Sequence, residues 1–286
     1  MKIKLPHLKQ KTSRRIGLII SYTVATLLAV IFLFPFYYTI INSLRPIIST
    51  PTMVLPKGFE VINYYYAVTL VPFFKYFFNS VIIEIIALSS GMVFNFIYGY
   101  ALARLKAPGK TVIFLMILSQ MMIPFIAIQI PQYILFSNLG FRDTYWIYLV
   151  NGVAGSAMTV FVYKQYMLSF PKSIEEAAMI DGCSTFSIMW RVIAPLSKPI
   201  IAVVLFEDFK YYWNDYMTAY MYLSEDRYPV SMALFGVSYI LPSNPNLKLV
   251  SVQNAAAIII MIPTLILFFL CQRNLVSGVT AGSIKE

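Results

Sequence analysis

The chain has 286 residues, of which 59% are hydrophobic and 12% are charged, and its mean hydropathy is +0.72. A soluble domain usually carries about a quarter charged residues, so this composition excludes an ordinary soluble domain, a disordered chain, a collagen and a disulfide-rich scaffold. An integral membrane protein remains, with room for roughly five to seven spans of about 20 residues. The net charge of +10 raises the question of nucleic-acid binding, which the distribution of the charges answers.

Six segments of the chain are apolar and long enough to cross a bilayer, which predicts an all-α integral membrane protein with six transmembrane helices. The first is too long for a signal-peptide core and has no convincing small-residue cleavage site, so it counts as a helix. Proline should kink or end the third segment, at Pro124 and Pro131, and bend the sixth at Pro263. In chain order the segments are 16–44, 79–103, 111–136, 144–163, 200–223 and 249–272.

The basic residues predict that both termini are cytoplasmic. With the N-terminus inside, the inner face receives 15 of the 22 Lys and Arg residues and the outer face six, while Lys210 lies within a span. Cytoplasmic loops of membrane proteins carry such an excess, so most of the positive charge is a topology signal. Residues 1–15 form a basic cytoplasmic tail that could bind anionic lipid, and we expect no nucleic acid as a partner.

The cysteines and the histidine offer no metal or redox site. Cys183 and Cys271 do not match a metal-ligand spacing, and His7 is the single histidine of the sequence. Gly109-Lys110-Thr111 resembles the end of a phosphate-binding P-loop, but Arg104 stands where that pattern requires glycine and a predicted membrane helix precedes it. We therefore expect no metal, no catalytic residues and no ATP hydrolysis by this chain.

The loop 171–199, between the fourth and fifth segments, predicts two short helices. Ser173 followed by Glu176 is a capping-box pattern, and Gly182 is well placed to end the helix that begins there. A second helix should begin near Thr185 and close at Pro195. An isolated helix of about eight residues is marginal in water, so the first helix should pack on another chain or, as an ordinary amphipathic connector, on its own bundle.

This loop resembles the EAA loop of ABC-importer permeases, whose pattern is E-A-A, then glycine, then I-x-L-P. Glu176-Ala177-Ala178 and Gly182 match the spacing, and Ile193-Ala194-Pro195 matches the downstream part. Other segments resemble further parts of the same family: 100–104 the end of its second span, 123–124 with 139–146 its third span and following turn, 213–215 its fifth span, and 272–282 the C-terminal signature of MalG-like carbohydrate permeases.

The resemblance implies the transmembrane permease subunit of an ATP-driven, binding-protein-dependent importer in the cell membrane. Such a subunit is not an enzyme. It forms half of the translocation pathway, beside a second homologous permease in a heterodimer, and two copies of a cytoplasmic ATP-binding subunit use the ATP and Mg²⁺. An extracytoplasmic solute-binding protein would face residues 224–248, unless that segment only covers the pore mouth.

The same resemblance implies the contacts with the ATPase. In the family the loop helix docks in a cleft of the ATPase, and the tail 273–286 also touches it, with a disordered tail as the less favoured alternative. The implied coupling residues are Glu175, Glu176, Ala177, Ala178, Asp181, Gly182, Ile193 and Pro195, and the implied C-terminal contacts are Gln272, Arg273, Gly278, Thr280 and Gly282.

Polar residues inside membrane spans are costly and indicate function. The fifth segment is the richest in them, so we expect it to line the translocation pathway with Glu207, Lys210, Trp213, Asn214 and Asp215. Glu207 and Lys210 are three residues apart and could pair along the helix. For any one of these side chains alone, an interhelical hydrogen bond is the alternative.

The sequence leaves the solute open. A sugar or oligosaccharide fits the resemblance, and a glycerol-phosphate-type solute is an alternative. An ion-coupled secondary transporter using the charges of the fifth segment is a different class, but the sequence has no visible inverted repeat to favour it. A membrane enzyme is a third class, for which no nucleophile and base stand out.

Overall fold

The computed structural model describes residues 7–47, 55, 58–235, 239–241 and 244–283. Almost all of this part of the chain is helical, which confirms the all-α prediction, and one short β-hairpin is the exception. Four helices are long and apolar enough to cross a membrane, and two bent helix pairs raise the number to as many as six.

The first third of the chain contains two long helices and a short one between them. Helix α1 is His7–Ser43, α2 is Ile62–Thr69 and α3 is Phe73–Arg104. Both long helices begin earlier than the apolar segments in them, because a helix continues into the water on either side of a membrane. At 1.5 Å per residue, the 32 residues of α3 extend about 48 Å, well beyond the hydrocarbon core of about 30 Å.

The third apolar segment is broken by a sharp bend, as Pro124 predicts. Helix α4 is Lys110–Ser119, a 3₁₀ turn follows at Gln120–Met122, and α5 is Phe125–Asn138. The second arm is bent by 103° from the direction of the first. Proline cannot donate the backbone hydrogen bond that would continue the first arm, so the bend falls at this residue. Pro131 lies inside α5 and does not end it.

The fourth apolar segment consists of two helices in line, α6 (Trp146–Ala154) and α7 (Ala157–Leu168). Gly155 separates them with a φ of +84°, a backbone conformation that favours glycine. The side chain of Ser156 then caps α7 by accepting a hydrogen bond from the amide of Thr159. The predicted end at residue 163 is therefore five residues short, because α7 continues to Leu168.

The loop and the fifth segment form a series of short helices. In order they are α8 (Ser173–Ile180), α9 (Thr185–Ile188), a π-helical turn (Met189–Ile193), α10 (Ala194–Leu196), α11 (Lys198–Trp213) and α12 (Met217–Tyr222). One prediction is confirmed here and another is wrong. The second loop helix begins at Thr185 and continues through the π-helical turn to Leu196, one residue beyond the predicted end at Pro195. The fifth segment is not one helix to residue 223, because α11 ends at Trp213.

The remainder is a turn, a short helix, a hairpin and the last long helix. A 3₁₀ turn covers Glu225–Arg227 and α13 is Met232–Phe235. Strands β1 (Ile240–Leu241) and β2 (Asn244–Lys248) pair antiparallel. Helix α14 is Val250–Ser283, with Pro263 inside it.

The chain divides into two compact units. The first consists of the chain up to Ala67 together with Tyr239–Ile258. Buried hydrogen bonds connect its segments. The side-chain amide of Asn63 donates to the backbone carbonyls of Ser43 and Arg45 at 2.8 and 2.7 Å. The Tyr239 hydroxyl donates to the carbonyl of Ala67 at 3.0 Å. Buried polar groups of this kind are stabilising only when they are paired, as these are.

The second unit, Val68–Ser238 with Ile259–Glu286, is built on α3, which packs against α6, α7 and α11. Small residues bring these helices close together. A Cβ added to Gly99 would lie 2.5 Å from the Cβ of Tyr163, and one added to Gly152 would overlap the side chain of Ser90. Such close approach replaces the hydrophobic driving force that helices lack in lipid.

Three apolar clusters of the described residues include α3, and two of them are large. One joins Phe96 and Tyr100 of α3 to Tyr163 of α7 and to Ile188 and Ile193 of the loop. The other surrounds Ile83 and Ala87 nearer the N-terminal end of α3 and includes α6 and α12. The loop 171–199 is thus packed on one end of the bundle through its own buried residues.

Candidate functional site

Helix α8 is short and ends in a well-defined cap. Gly182 has a φ of +81°, its amide donates to the carbonyl of Met179, and the amide of Cys183 donates to the carbonyl of Ala178, each at 3.0 Å. This pair of bonds is the Schellman motif, in which the left-handed residue is usually glycine. The prediction that Gly182 ends this helix is therefore confirmed. The predicted capping box is wrong, because Ser173 lies inside the first turn and the N-cap, Lys172, makes no side-chain cap bond.

The residues that the sequence assigned to ATPase coupling fall on two faces. Glu175, Ala178 and Ile193 are buried against the chain's own bundle. The exposed ones are Glu176, Ala177, Asp181, Gly182 and Pro195. Two apolar side chains of α8 that sequence reasoning did not single out are also exposed, Met179 at 55% and Ile180 at 87%. One face of α8 therefore anchors the helix, and the other is open with a mixed acidic and apolar character.

The anchor of α8 is an ion pair with the last residue of α3. The Arg104 Nε lies 3.3 Å from the Glu175 Oε1, and the two side chains are only 4% and 10% exposed. Arg104 also donates through a terminal nitrogen to the carbonyl of Phe170 at 2.8 Å, at the beginning of the loop. The sequence marked both residues, Arg104 for its resemblance and Glu175 for the loop, but not their contact.

The second half of the loop continues the open face. Phe186 on α9 is 67% exposed, whereas Met189 and Ile193 of the following turn are buried. Trp190 stacks on Phe96 at 5.5 Å between ring centroids, which fixes the π-helical turn to α3. With Ile180 and Met179, Phe186 forms an exposed apolar surface on the loop, which we call the loop patch. Exposed apolar side chains grouped in this way indicate contact with another molecule.

A cavity of about 770 Å³ lies in the second unit between α5, α6, α7, α11 and α12. This is within the usual size range of small-molecule sites. Its wall combines amides, carboxylates and aromatic rings, which include Asn95, Gln129, Asn151, Glu207, Asp208 and Tyr212.

The carboxylates of the cavity differ in their partners. Glu207 pairs with Lys210 one turn along α11, at 2.8 Å. Asp215 accepts a hydrogen bond from the amide of Thr218 at 3.0 Å and so caps the first turn of α12. Asp208 has no hydrogen bond or ion pair with the described residues. Glu84 of α3 lies close enough to Asp208 for the two carboxyl groups to interact electrostatically. Neither carboxyl oxygen of Glu84 has a hydrogen-bond partner among the described residues.

Two of the five residues predicted to line the pathway line this cavity, Glu207 and Asp215. The other three do not. Trp213 is buried, donates its indole N–H to the Ile260 carbonyl at 2.9 Å and stacks on Phe209 at 5.3 Å. Asn214 donates to the carbonyl of Lys210 at 2.8 Å, and Lys210 pairs with Glu207. The Trp213 contact joins α11 to α14, and the Asn214 contact lies at the end of α11. Both therefore stabilise the fold.

The cavity also uses residues that the prediction left out. Asp208, Tyr148 and Gln132 line it, and Asp208 directly follows Glu207 in the sequence. Asp208 could have been predicted to line the cavity, because it lies in the fifth segment, which is the richest in polar residues. Tyr148 gave no signal, since tyrosine is equally expected at a membrane interface.

The far end of α3 from Arg104 has its own polar contacts. Lys75 pairs with Asp226, and the Asn79 amide donates to the carbonyls of Asp226 and Tyr228 at 3.1 and 3.0 Å. Nearby, Asp143 accepts hydrogen bonds from the Ser224 hydroxyl at 2.7 Å and from its amide at 3.0 Å, and pairs with Arg227. The hydrogen bonds from Ser224, with the help of the Arg227 guanidinium, lower the pKa of the Asp143 carboxyl despite its partial burial.

The predicted C-terminal contact residues all lie on α14. Gln272 and Arg273 are exposed. Gly278, Thr280 and Gly282 belong to the last turns of the helix, and their surroundings lie outside what the structure describes. The tail is therefore helical through Ser283.

Residues 95–281 match the family model described as binding-protein-dependent transport system inner membrane component. The matched segment holds the loop, the cavity and most of α14. The chain belongs to this family. It is accordingly a multi-pass protein of the inner membrane, the non-catalytic permease component of an ABC importer, and its family implies an ATPase and a solute-binding protein as partners.

This permease is similar along nearly its whole length to curated relatives. It is 29% identical to the probable starch degradation products transport system permease protein AmyC of Thermoanaerobacterium thermosulfurigenes, over 91% of this chain and 94% of the relative. It is 28% identical to the arabinooligosaccharides transport system permease protein AraQ of Bacillus subtilis, over 98% and 99% of the two chains.

The permease also has the fold of a solved transporter. A chain from the crystal structure of a bacterial ABC transporter involved in the import of the acidic polysaccharide alginate matches it with a TM-score of 0.79, over 96% of this chain and 100% of that one. The two are 22% identical, so the likeness establishes the fold alone.

Proposed function

We propose that this permease forms half of the translocation pathway of an importer for a sugar or oligosaccharide. In this proposal the bent pair α4 and α5 forms the third span and α11 with α12 forms the fifth, which gives six spans with both termini in the cytoplasm. A second, homologous permease completes the pathway, and an extracytoplasmic solute-binding protein delivers the solute. The relatives AmyC and AraQ, named for starch degradation products and arabinooligosaccharides, support the solute class.

The two permeases are driven by two copies of a separate ATPase, and one copy docks on the loop patch and the exposed side of α8 of this chain. ATP and Mg²⁺ bind to those subunits, and this chain binds neither. The observation that carries the proposal is the two-sided construction of α8. Its buried side is fixed to α3 through Glu175, while Glu176, Ala177 and Ile180 stay exposed on a rigid, capped helix. A rigid element between two mobile bodies can transmit the closure of one to the other.

The docking part of the proposal is tested with Ile180→Asp. Because Ile180 is 87% exposed and contributes little to the fold, the variant should reach the membrane in normal amounts. It should retain much less ATPase after purification in detergent, since a charge would be buried in the new interface. The matched control is Ile188→Val, a small change in a loop residue that is fully buried and faces the bundle. Undiminished ATPase in the Ile180→Asp complex would contradict the docking surface.

The transport part is tested in vesicles that contain this permease, its homologous partner and the ATPase, with the binding protein added outside. Uptake of labelled oligosaccharide should require ATP inside the vesicle, where the ATPase faces it. Vesicles made without the ATPase should take up none. An ion-coupled secondary transporter is the competing function, because α11 carries several charged residues. Uptake sustained by an ion gradient alone, without ATP, would contradict the importer and favour a secondary transporter.

A further inference from the structure

The cavity between α5, α6, α7, α11 and α12 provides acceptors and neutral donors for a solute but no positive charge. No Lys or Arg is among its lining residues in the described part of the chain. The nearest cation on α11, Lys210, is already paired with Glu207 at 2.8 Å. Asp208 and Asp215 stand on the same wall, and neither has a basic partner among the described residues. Whether such a carboxyl group is ionised or protonated, it offers no compensation to an anionic solute.

The cavity wall also carries neutral groups that can both donate and accept hydrogen bonds. The side-chain amides of Gln129 and Asn151 line the cavity, and an amide group has both capacities, as a sugar hydroxyl has.

From these observations we infer that the cavity accepts an uncharged oligosaccharide and rejects solutes that carry carboxylate or phosphate groups. The hydroxyls of a neutral sugar donate to Asp208 and exchange hydrogen bonds with the amides of Gln129 and Asn151. The rings of Tyr211 and Tyr212 offer apolar faces for the C–H face of the sugar. A uronate or a phosphorylated sugar would bring a second negative charge against Asp208 in a partly water-free space, and like charges held together at a binding site are strongly unfavourable.

This inference rests on the proposed function and narrows its solute. It is independent of the fold likeness to the alginate transporter, since that likeness does not extend to the identity of the residues in the cavity. It also makes this permease a selective element in its own right, beyond the choice made by a binding protein.

The test is isothermal titration of the detergent-solubilised complex of this permease with its homologous partner and the ATPase, without a binding protein. The probes are maltotriose, which is neutral, and trigalacturonate, which is a trisaccharide with three carboxylates. Maltotriose should bind at least about tenfold more tightly, the ratio that corresponds to about 1.4 kcal/mol. Equal or tighter binding of trigalacturonate overturns the inference, and so does failure of both to bind.

Two variants connect the preference to the named residues. Asp208→Asn keeps the side-chain shape. It should reduce the ratio of the affinity for maltotriose to that for trigalacturonate by about threefold or more, because one repelling charge is gone. Glu207→Gln, at a largely exposed pair that the fold does not need, should also favour trigalacturonate, because it frees the charge of Lys210. Glu60→Gln is the matched control, a carboxylate that does not line the cavity, and should leave the ratio unchanged. An unchanged ratio in both cavity variants would contradict the assignment.

The vesicle experiment separates this inference from the proposed function. ATP-dependent uptake that prefers trigalacturonate would overturn only the inference about charge. Uptake without ATP would overturn the importer itself, whatever the titration shows.

Discussion

The guanidinium of Arg104 and the carboxylate of Glu175 lie 3.3 Å apart and are almost completely shielded from solvent. This contact joins the last residue of α3 to the first turn of α8, the helix that presents the loop patch. Because both partners are charged and buried, the pair acts as a rigid connection between the membrane bundle and the loop. Removing one partner leaves the other charged, desolvated and unpaired, which is strongly destabilising.

Arg104→Met should lower the free energy of unfolding by about 3–5 kcal/mol, the usual cost of breaking a buried ion pair from one side. Arg104→Met combined with Glu175→Met should recover most of that loss, because no charge is left buried. The measurement is a denaturant titration in detergent micelles. Lys75→Met is the control, since its pair with Asp226 is exposed and should contribute no more than about 1 kcal/mol. A double variant as unstable as the single one would show that the pair is not what holds α8.

Gly99→Ala should destabilise the bundle by about 1–3 kcal/mol, the usual cost of overpacking. The added Cβ would lie 2.5 Å from the Cβ of Tyr163, so α3 and α7 would have to separate. Gly91→Ala on the same helix is the matched control. Its Cβ would meet the nearest atom at 3.7 Å, an ordinary contact, so little change is expected. The two variants are compared by their unfolding midpoints, and equal midpoints would contradict the close approach of α3 and α7.

Gly182→Val should weaken the coupling of ATP hydrolysis to transport, because a β-branched residue is strained at a φ of +81° and the end of α8 must shift. Gly182→Asn should retain more of the coupling, since asparagine tolerates this conformation. The space around Gly182 is open, so the side chains themselves meet no obstacle. The measurement is the ratio of solute transported to ATP hydrolysed in vesicles. Equal ratios in the two variants would mean that the backbone conformation at this residue is irrelevant.

Asp143→Asn should destabilise the protein at neutral pH and much less in acid. The pKa of Asp143 is lower in the folded protein than in the unfolded chain, so its contribution is present above the unfolded value of about 3.9 and is lost as the pH falls through the folded pKa. Asparagine accommodates the φ of 54° at this residue, so the variant removes charge with little backbone strain. Unfolding midpoints of both proteins between pH 7 and pH 3 should converge. A difference that stays constant with pH would exclude the carboxylate as the cause.

The apolar segments and the proline positions were readable from the sequence because they follow local rules. The long helices α1, α3 and α14 contain long apolar runs, and the bend at Pro124 follows from the missing N–H of proline. The end of α8 at Gly182 was predictable for the same reason, since the left-handed cap depends on one residue.

The parts that the sequence did not predict depend on contacts between distant residues. Trp213 was assigned to the pathway, yet its indole binds the Ile260 carbonyl on α14, and a pattern on one helix contains no information about that partner. The break after Trp213 likewise depends on how the surrounding helices pack. The split of the loop residues into buried and exposed faces required knowing that Glu175 turns towards Arg104.

Helix α3 is held by charged side chains near both of its ends, by Lys75 with Asp226 and by Arg104 with Glu175. The 29 steps from Lys75 to Arg104 along an α-helix correspond to about 43 Å, more than the thickness of the hydrocarbon core. A packed helix of this length can carry a displacement of the end beside Asp226 to the end that holds α8. Because Asn95 of α3 lines the cavity, the same displacement would also move the cavity wall.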